Sequence, residues 1–199
     1  MKNKLSSYLF LFSIAGVIIA LDQWTKWLVR ENIPYAGAWL PQGLEWLMPY
    51  ARIVHWQNSG AAFGIFQNGS AIFGSLAVVV VLVILYFYPQ VSPQDWSMRV
   101  AMAMQFAGAA GNLLDRLMFH GKVTDFISVG TFAVFNVADS SITLGVGVLL
   151  LDVWIKERRE KRQLSVASDQ SSVANDQLSA VPEGDTAGDP SSDSESKAP

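Results

Sequence analysis

From Ala71 to Tyr88 the chain runs through eighteen residues without a single charged side chain. At about 1.5 Å of helical rise per residue this run reaches about 27 Å, close to the roughly 30 Å hydrocarbon core of a bilayer. Such a segment either spans a membrane or is buried on every side. Three further apolar runs accompany it: Tyr8 to about Val29, Val100 to Leu114 and Ala138 to Ile155. A soluble chain of 199 residues has too little interior to bury four such helices all round. The sequence therefore predicts an all-α membrane protein of four transmembrane helices, with the membrane-embedded domain covering residues 1–163.

Composition narrows the chemistry. There is no cysteine, which excludes a disulfide framework, a thiolate zinc site, a cysteine nucleophile and a thiol redox relay. His55 and His120 are the only histidines, too few for a histidine-rich metal centre, so no metal or cofactor is expected. The net charge of −3 conceals two opposed regions. The basic run Lys156, Arg158, Arg159, Lys161 and Arg162 reads as a cytoplasmic anchor against anionic lipid, and no basic surface suggests nucleic acid. From Leu164 to Pro199 the chain is rich in Ser, Asp, Ala, Gln and Gly, which predicts a disordered tail with no part in the chemistry.

Lys2 and Lys4 before an apolar run resemble a cleavable leader, with Ser13-Ile14-Ala15 as a small-residue site. That site falls inside the run, which continues to Val29, so a retained first span is expected. Within it, Asp22 and Lys26 are i, i+4 neighbours in the order that favours an ion pair. Lys26 taken alone fits a cation snorkelling to the headgroups, and Asp22 fits a hydrogen-bonding support. Residues 30–70 hold Trp39, Trp46 and Trp56 among Pro34, Gly37, Pro41, Gly43 and Pro49. Indoles prefer the membrane interface, and Ala51–Gln57 has strand-like content, so this stretch is expected to form a small extracytoplasmic β platform. Asn58-Ser59-Gly60-Ala61-Ala62-Phe63-Gly64 follows, whose small residues suit close approach by a peptide or by a neighbouring helix.

The second span is expected to face lipid and carry no chemistry. The third is rich in Ala and Gly and belongs at the centre of the bundle. At its end Asn112 and Arg116 share one helical face; the arginine there suits a carbonyl, a phosphate, a neighbouring Asp or an ordinary interfacial position. Basic residues beside the first and last spans place both termini in the cytoplasm and the loops 30–70 and 115–137 outside. By that topology Asp22, Asn58, Asn112, Arg116, Asp125, Asn136 and Asp139 all gather at the outer membrane edge.

Asp125 and Asp139 stand in apolar surroundings, where an acid costs roughly 2.5 to 3.5 kcal/mol on insertion scales and so marks a functional site. Thirteen residues, including Gly130, separate them, enough for the chain to turn back. Two carboxylates brought together share one proton, supplying a base and an acid at once. Asn136 is placed to cap the fourth span, leaving Asp139 in its first turn as the likelier base. Two structural acids, one bonded to Arg116 and one to the helix end, remain the plainer account. Other uses of such acids are proton coupling in a small four-span transporter, or a noncatalytic subunit of a membrane complex. Transporter sites usually lie near the midplane between repeats; here the acids lie at the edge and no repeat is evident.

Five blocks in order, Asp22-Gln23-Trp24-Thr25-Lys26, Asn58-Ser59-Gly60-Ala61-Ala62-Phe63, Gly111-Asn112-Leu113-Leu114-Asp115-Arg116, Val123-Thr124-Asp125-Phe126-Ile127 and Phe135-Asn136-Val137-Ala138-Asp139-Ser140, resemble the signature of bacterial lipoprotein signal peptidase, or signal peptidase II. The resemblance covers about residues 8–160. It implies an aspartic endopeptidase of the bacterial inner membrane that removes signal peptides from diacylglyceryl-modified prolipoproteins, cutting before the lipidated cysteine. By motif, Asp125 and Asp139 match the catalytic pair. Asn58, Asn112, Arg116 and Asn136 match positions lining the substrate pocket, and Asp22 and Lys26 a supporting block. Gly60 and Asp115, in the same blocks, join them as candidate binding or support residues. The resemblance further implies inhibition by the peptide antibiotic globomycin. The tryptophan-bearing loop is then expected to lie over the lipidated cysteine and keep bulk water out.

Overall fold

The computed structural model describes residues 2–60 and 69–179. The first apolar run forms α1 (Lys2–Asn32) and the uncharged run forms α2 (Ser70–Phe87). The Ala/Gly-rich run forms α3 (Trp96–Met118), and the last forms α4 (Val137–Ser179). Among the described residues, three helical stretches are long and apolar enough to cross a membrane: Lys4–Asn32, Ser70–Gln90 and Val137–Leu164. The third run, also expected to span, is a 23-residue helix of a different kind. It carries Arg99, Gln105, Asn112, Asp115 and Arg116, and its small side chains contribute little hydropathy.

Burial explains the difference. Ten residues of α3 are buried, against Ala77 and Ile84 alone on α2. A helix enclosed by its neighbours can hold polar atoms, because partners inside the protein satisfy them. The apolar core lies among α1, α2 and α3, with Leu11, Ala15, Ile84, Tyr88, Ala103, Phe106 and Ala107 packed together. Tyr8 ties α1 to α2 by donating its hydroxyl to the Leu85 carbonyl at 2.9 Å.

Contact between α3 and α4 depends on Gly108. A Cβ there would come within 2.4 Å of both the Ala138 carbonyl oxygen and an Ile142 side-chain carbon. Ser141 uses the same close approach to donate to the Met104 carbonyl across the helices at 3.0 Å. At the other end of this pair the Ser97 hydroxyl donates to Asp152 at 2.9 Å.

Outside the bundle lies a three-stranded antiparallel sheet of order β1 (Ala38–Trp39), β2 (Ala51–Asn58) and β3 (Val123–Val129). The expected platform of residues 30–70 supplies two of the strands. Its third comes from beyond α3, within the stretch read as a loop at 115–137. Val29 and Ile33 at the end of α1 pack on Phe126 of β3, fixing the sheet to the helices. Ala61, Ala62, Phe63 and Gly64 of the small-residue block lie outside the described residues.

The chain divides into a unit of residues Met1–Trp154, which holds all these contacts, and a second beginning at Ile155. α4 continues to Ser179, past Leu164, from which a disordered tail is expected. A nucleated helix adds one bond per residue, and no proline interrupts the sequence until Pro182. Residues 180–199 lie outside the described residues. Gly108→Ala should lower stability by about 1–3 kcal/mol through overpacking. A thermal-shift midpoint in detergent equal to that of the parent would show that α3 and α4 are not held at this spacing.

Candidate active site

Four charges meet where α1 leaves the bundle. The Lys26 ammonium lies 2.8 Å from Asp22 Oδ2 and 3.4 Å from Asp115 Oδ2, and all three side chains are essentially without solvent exposure. Arg30 approaches Asp115 at 4.0 Å, donates to the Thr124 hydroxyl at 3.0 Å and stacks on Phe119. Two cations thus face two carboxylates, and the cluster is close to electrically balanced. The expectation that Lys26 snorkels is corrected: a lysine with two acids and an amide oxygen in reach gains more from staying inside than its stem gains at the headgroups.

Gln23 completes the cluster, donating to Asp22, Asp115 and the Gly111 carbonyl, each at 3.1 Å. Each carboxylate also serves a second element. Asp22 Oδ1 accepts from the Ala138 N–H in the first turn of α4 at 2.9 Å. Asp115 Oδ2 accepts from the Thr124 N–H of β3 at 2.9 Å. Asp22 and Asp115 therefore anchor the two elements that carry the remaining acids.

The path from Asp125 to Asp139 is folded back on itself. β3 pairs with β2 through Asp125 opposite Trp56, next to a register irregularity between Ile53 and Trp56. An extra residue on the partner strand increases local twist and re-aims side chains. The chain reverses at Gly130, whose φ of 52° suits a residue without a side chain. It then pairs Phe135 with Ile127, the Phe135 carbonyl accepting from the Phe126 and Ile127 N–H groups at 3.0 and 2.8 Å. Asn136 is thereby laid beside Asp125.

Asn136, fully buried, serves both acids. Its side-chain amide donates to Asp125 Oδ1 at 2.7 Å, and its backbone N–H donates to Asp139 Oδ2 at 3.3 Å. In return its side-chain oxygen accepts the Asp139 N–H at 2.9 Å, a reciprocal cap on α4. Asn112 supplies the second link, donating to Asp139 Oδ1 at 2.7 Å. The Asn112 oxygen accepts from Lys26 at 3.0 Å and from Asn136 at 3.1 Å. An amide oxygen cannot turn toward a carboxylate while two donors hold it, so the buried lysine fixes which way Asn112 points.

Asn58, Gly60, Asn112, Arg116, Asp125 and Asp139 line one cavity of about 630 Å³, whose other walls include Phe73, Phe132, Phe135 and Leu144. The Gly60 N–H donates to Asn58 Oδ1 at 2.9 Å. Asn136 lies behind Asp125. Asp22, Lys26 and Asp115 lie deeper and do not reach the cavity wall. Burial first, and then the charge of Asp139, push the Asp125 carboxyl up to about 7, against the lowering effect of hydrogen bonds from Asn136 and Asn58. Such a group keeps its proton to higher pH than an ordinary aspartate, while Asp139 accepts from two separate donors. The arrangement can present a carboxylate and a carboxylic acid to one volume.

Reasoning from the sequence missed Gln23, Arg30 and Thr124 as supports. Gln23 stands inside the Asp22–Lys26 block, which was a usable signal. Nothing in the local sequence links Arg30 to Thr124, 94 residues away. Among the described residues no group of acids and histidines is arranged to hold a metal ion.

A family model described as Signal peptidase (SPase) II matches residues 14–155. A lipoprotein signal peptidase of Shouchella clausii is 39% identical over 152 residues, covering 76% of this chain and 97% of the relative. One from Bartonella tribocorum is 36% identical over 169 residues, covering 80% and 96%. A solved structure described as a bacterial membrane enzyme, determined by the in meso method, superposes with a TM-score of 0.66 at 28% identity, covering 74% of this chain and 88% of that one.

Lys26→Met should destabilise the protein by roughly 3–5 kcal/mol, because it leaves buried carboxylates without their cation. Combining it with Asp22→Asn should recover part of the loss; detergent melting of the single and double variants decides this, and equal melting of Lys26→Met and parent would refute the role of the cluster. Asp125 gives a second test. Its folded value near 7 lies above its ordinary value of 3.8, so the native state binds more protons between about pH 4 and pH 7. Its contribution to stability is present below about pH 4 and is lost as pH rises through 7. Asp125→Asn should therefore melt higher than the parent at pH 8 but not at pH 4. The same offset at both pH values would exclude this linkage.

Proposed function

The chain belongs to the signal peptidase II family and is a membrane protease acting on the signal peptides of prolipoproteins, and we propose that Asp125 and Asp139 cut the peptide as an aspartic pair. The observation that carries this reading is the joint hold of Asn136 on both carboxylates at the wall of one cavity.

In the proposed reaction Asp139 is the base. It stands in the first turn of α4, where the helix dipole favours an anion, and it is oriented by Asn112 and Asn136. Asp125 holds the shared proton, in keeping with its raised affinity for it. Asp139 takes a proton from a water whose oxygen attacks the scissile carbonyl, while Asp125 donates a hydrogen bond to the carbonyl oxygen as charge develops there. On collapse the carbon–nitrogen bond breaks, and the proton held by Asp139 passes to the leaving amine. Arg116, Asn58 and Gly60 serve as substrate-binding groups at the wall, with Asp22, Lys26 and Asp115 as supports.

The wider setting is proposed on the same footing. The body, residues 1–163, has α3 as its fourth span, and residues 164–199 form a tail outside the chemistry. Lys2 and Lys4 in the first turn of α1 and the basic run 156–162 support cytoplasmic termini in an inner membrane, with the acids at the outer face. The cut falls before a diacylglyceryl cysteine, reached by lateral diffusion in the bilayer. The exposed rings of Trp39, Trp46 and Trp56 support a membrane-facing loop above it. Globomycin is expected to occupy the catalytic cavity. A proton-coupled transporter finds no support among relatives that are peptidases.

Asp125→Asn and Asp139→Asn should each slow cleavage of a diacylglyceryl prolipoprotein by roughly 100- to 10,000-fold with expression unchanged. Parent activity should fall as pH rises through about 7, where Asp125 ionises and two anions face each other. Full cleavage by either variant, or a rate that stays flat well into alkaline pH, would sink the aspartic mechanism.

A further inference from the structure

The catalytic cavity does not end at the acids. A second cavity, about 280 Å³, shares Phe73, Asn112 and Arg116 with it and continues between α2 and α3, with Ile142 of α4 on its wall, past Ala77 and Val80 to Gln105. Gln105 stands seven residues before Asn112 on α3, which at 1.5 Å per residue places it about 10 Å further into the bundle. Apart from Asn112 and Arg116, which also line the catalytic cavity, it is the one polar side chain among the described residues along this extension. No described residue hydrogen-bonds its amide.

An amide in an apolar groove is a cost unless something that enters the groove uses it. An acyl chain has no use for it. A peptide does. A signal peptide crosses the bilayer with its backbone bonds closed inside a helix, yet the bond to be cut must be presented to the two acids in extended form. Unwinding the last turn releases N–H and C=O groups into hydrocarbon, where nothing satisfies them. A glutamine amide offers a donor and an acceptor together, the complement of one peptide unit.

We propose that Gln105 is a substrate-binding residue whose side-chain amide hydrogen-bonds the unwound backbone of the signal peptide upstream of the scissile bond. An extended chain advances about 3.3 Å per residue, so the 10 Å offset places the contact about three residues before the cut. This rests on the cleavage site lying between Asp125 and Asp139. It assigns the α2–α3 groove to the departing signal peptide and not to lipid.

The test uses the full-length protein in nanodiscs and a synthetic diacylglyceryl prolipoprotein peptide spanning the cleavage site. Gln105→Leu should raise KM roughly tenfold, the usual effect of leaving one buried polar group unpaired, with kcat within about twofold. Gln105→Asn, which keeps the amide on a shorter stem, should give an intermediate KM, a rescue that a packing lesion would not show. Replacing the peptide bond about three residues upstream by an ester removes one N–H. That change should weaken binding to the parent and leave the Gln105→Leu variant unaffected. Repeating the binding measurement in an Asp125→Asn background separates this proposal from the mechanism, because affinity is then read without turnover. An unchanged or lower KM in Gln105→Leu assigns the groove to an acyl chain and overturns the proposal. So does an ester penalty of equal size in both proteins.

Discussion

A lysine ammonium with no access to solvent sets the terms for the rest of this structure. An unpaired charge in such a place costs several kcal/mol, and its partners must be held in good geometry for burial to be tolerated. Lys26 obtains that geometry from two helices, with Asp22 on its own and Asp115 and Asn112 on α3. Asp22 and Asp115 then use their remaining oxygens on the backbone of α4 and β3. Four elements are thereby tied to one cation, and the two that carry Asp125 and Asp139 are among them.

The same cation acts on the acids without touching them. Holding the Asn112 oxygen turns the amide nitrogen toward Asp139, and the Asn136 amide, donating to both Asn112 and Asp125, carries the order across. Each donor in this chain is committed, so neither carboxylate can rotate without breaking a bond in low dielectric, where such bonds are strong. The acids are oriented before any substrate arrives. What is left open to the cavity is the part of each carboxyl group that the asparagines do not occupy.

Packing and polarity divide the labour among the helices. α2 presents branched apolar side chains, buries few of its residues and holds no charge. α3 gives up hydropathy for close approach, and its Ala and Gly positions bring Ser141 and the start of α4 within hydrogen-bonding distance. The sheet adds what helices cannot supply, an extended edge outside the bundle on which Asp125 is carried at a fixed register against β2. Phe126 secures that strand by packing on Val29 and Ile33.

Much of this was written locally. Apolar runs of the right length specify the helices, and Asn136 followed three residues later by Asp139 specifies a capped helix start. Asp22 and Lys26 at i, i+4 specify their own pairing, because helix geometry alone brings them together. Asp125 and Asp139 also stood out in the sequence, since a carboxylate beside an apolar run has few structural uses. Tertiary structure alone decided that Lys26 stays inside, because its second acid and its amide oxygen come from residues 86 or more positions away. It also decided that the strand bearing Asp125 joins a sheet begun at Ala38, far earlier in the chain, and that Arg30 and Thr124 meet. Local sequence fixes what a segment buries and how it begins; it does not fix which distant partner satisfies a buried charge, because that choice exists only once the helices have packed.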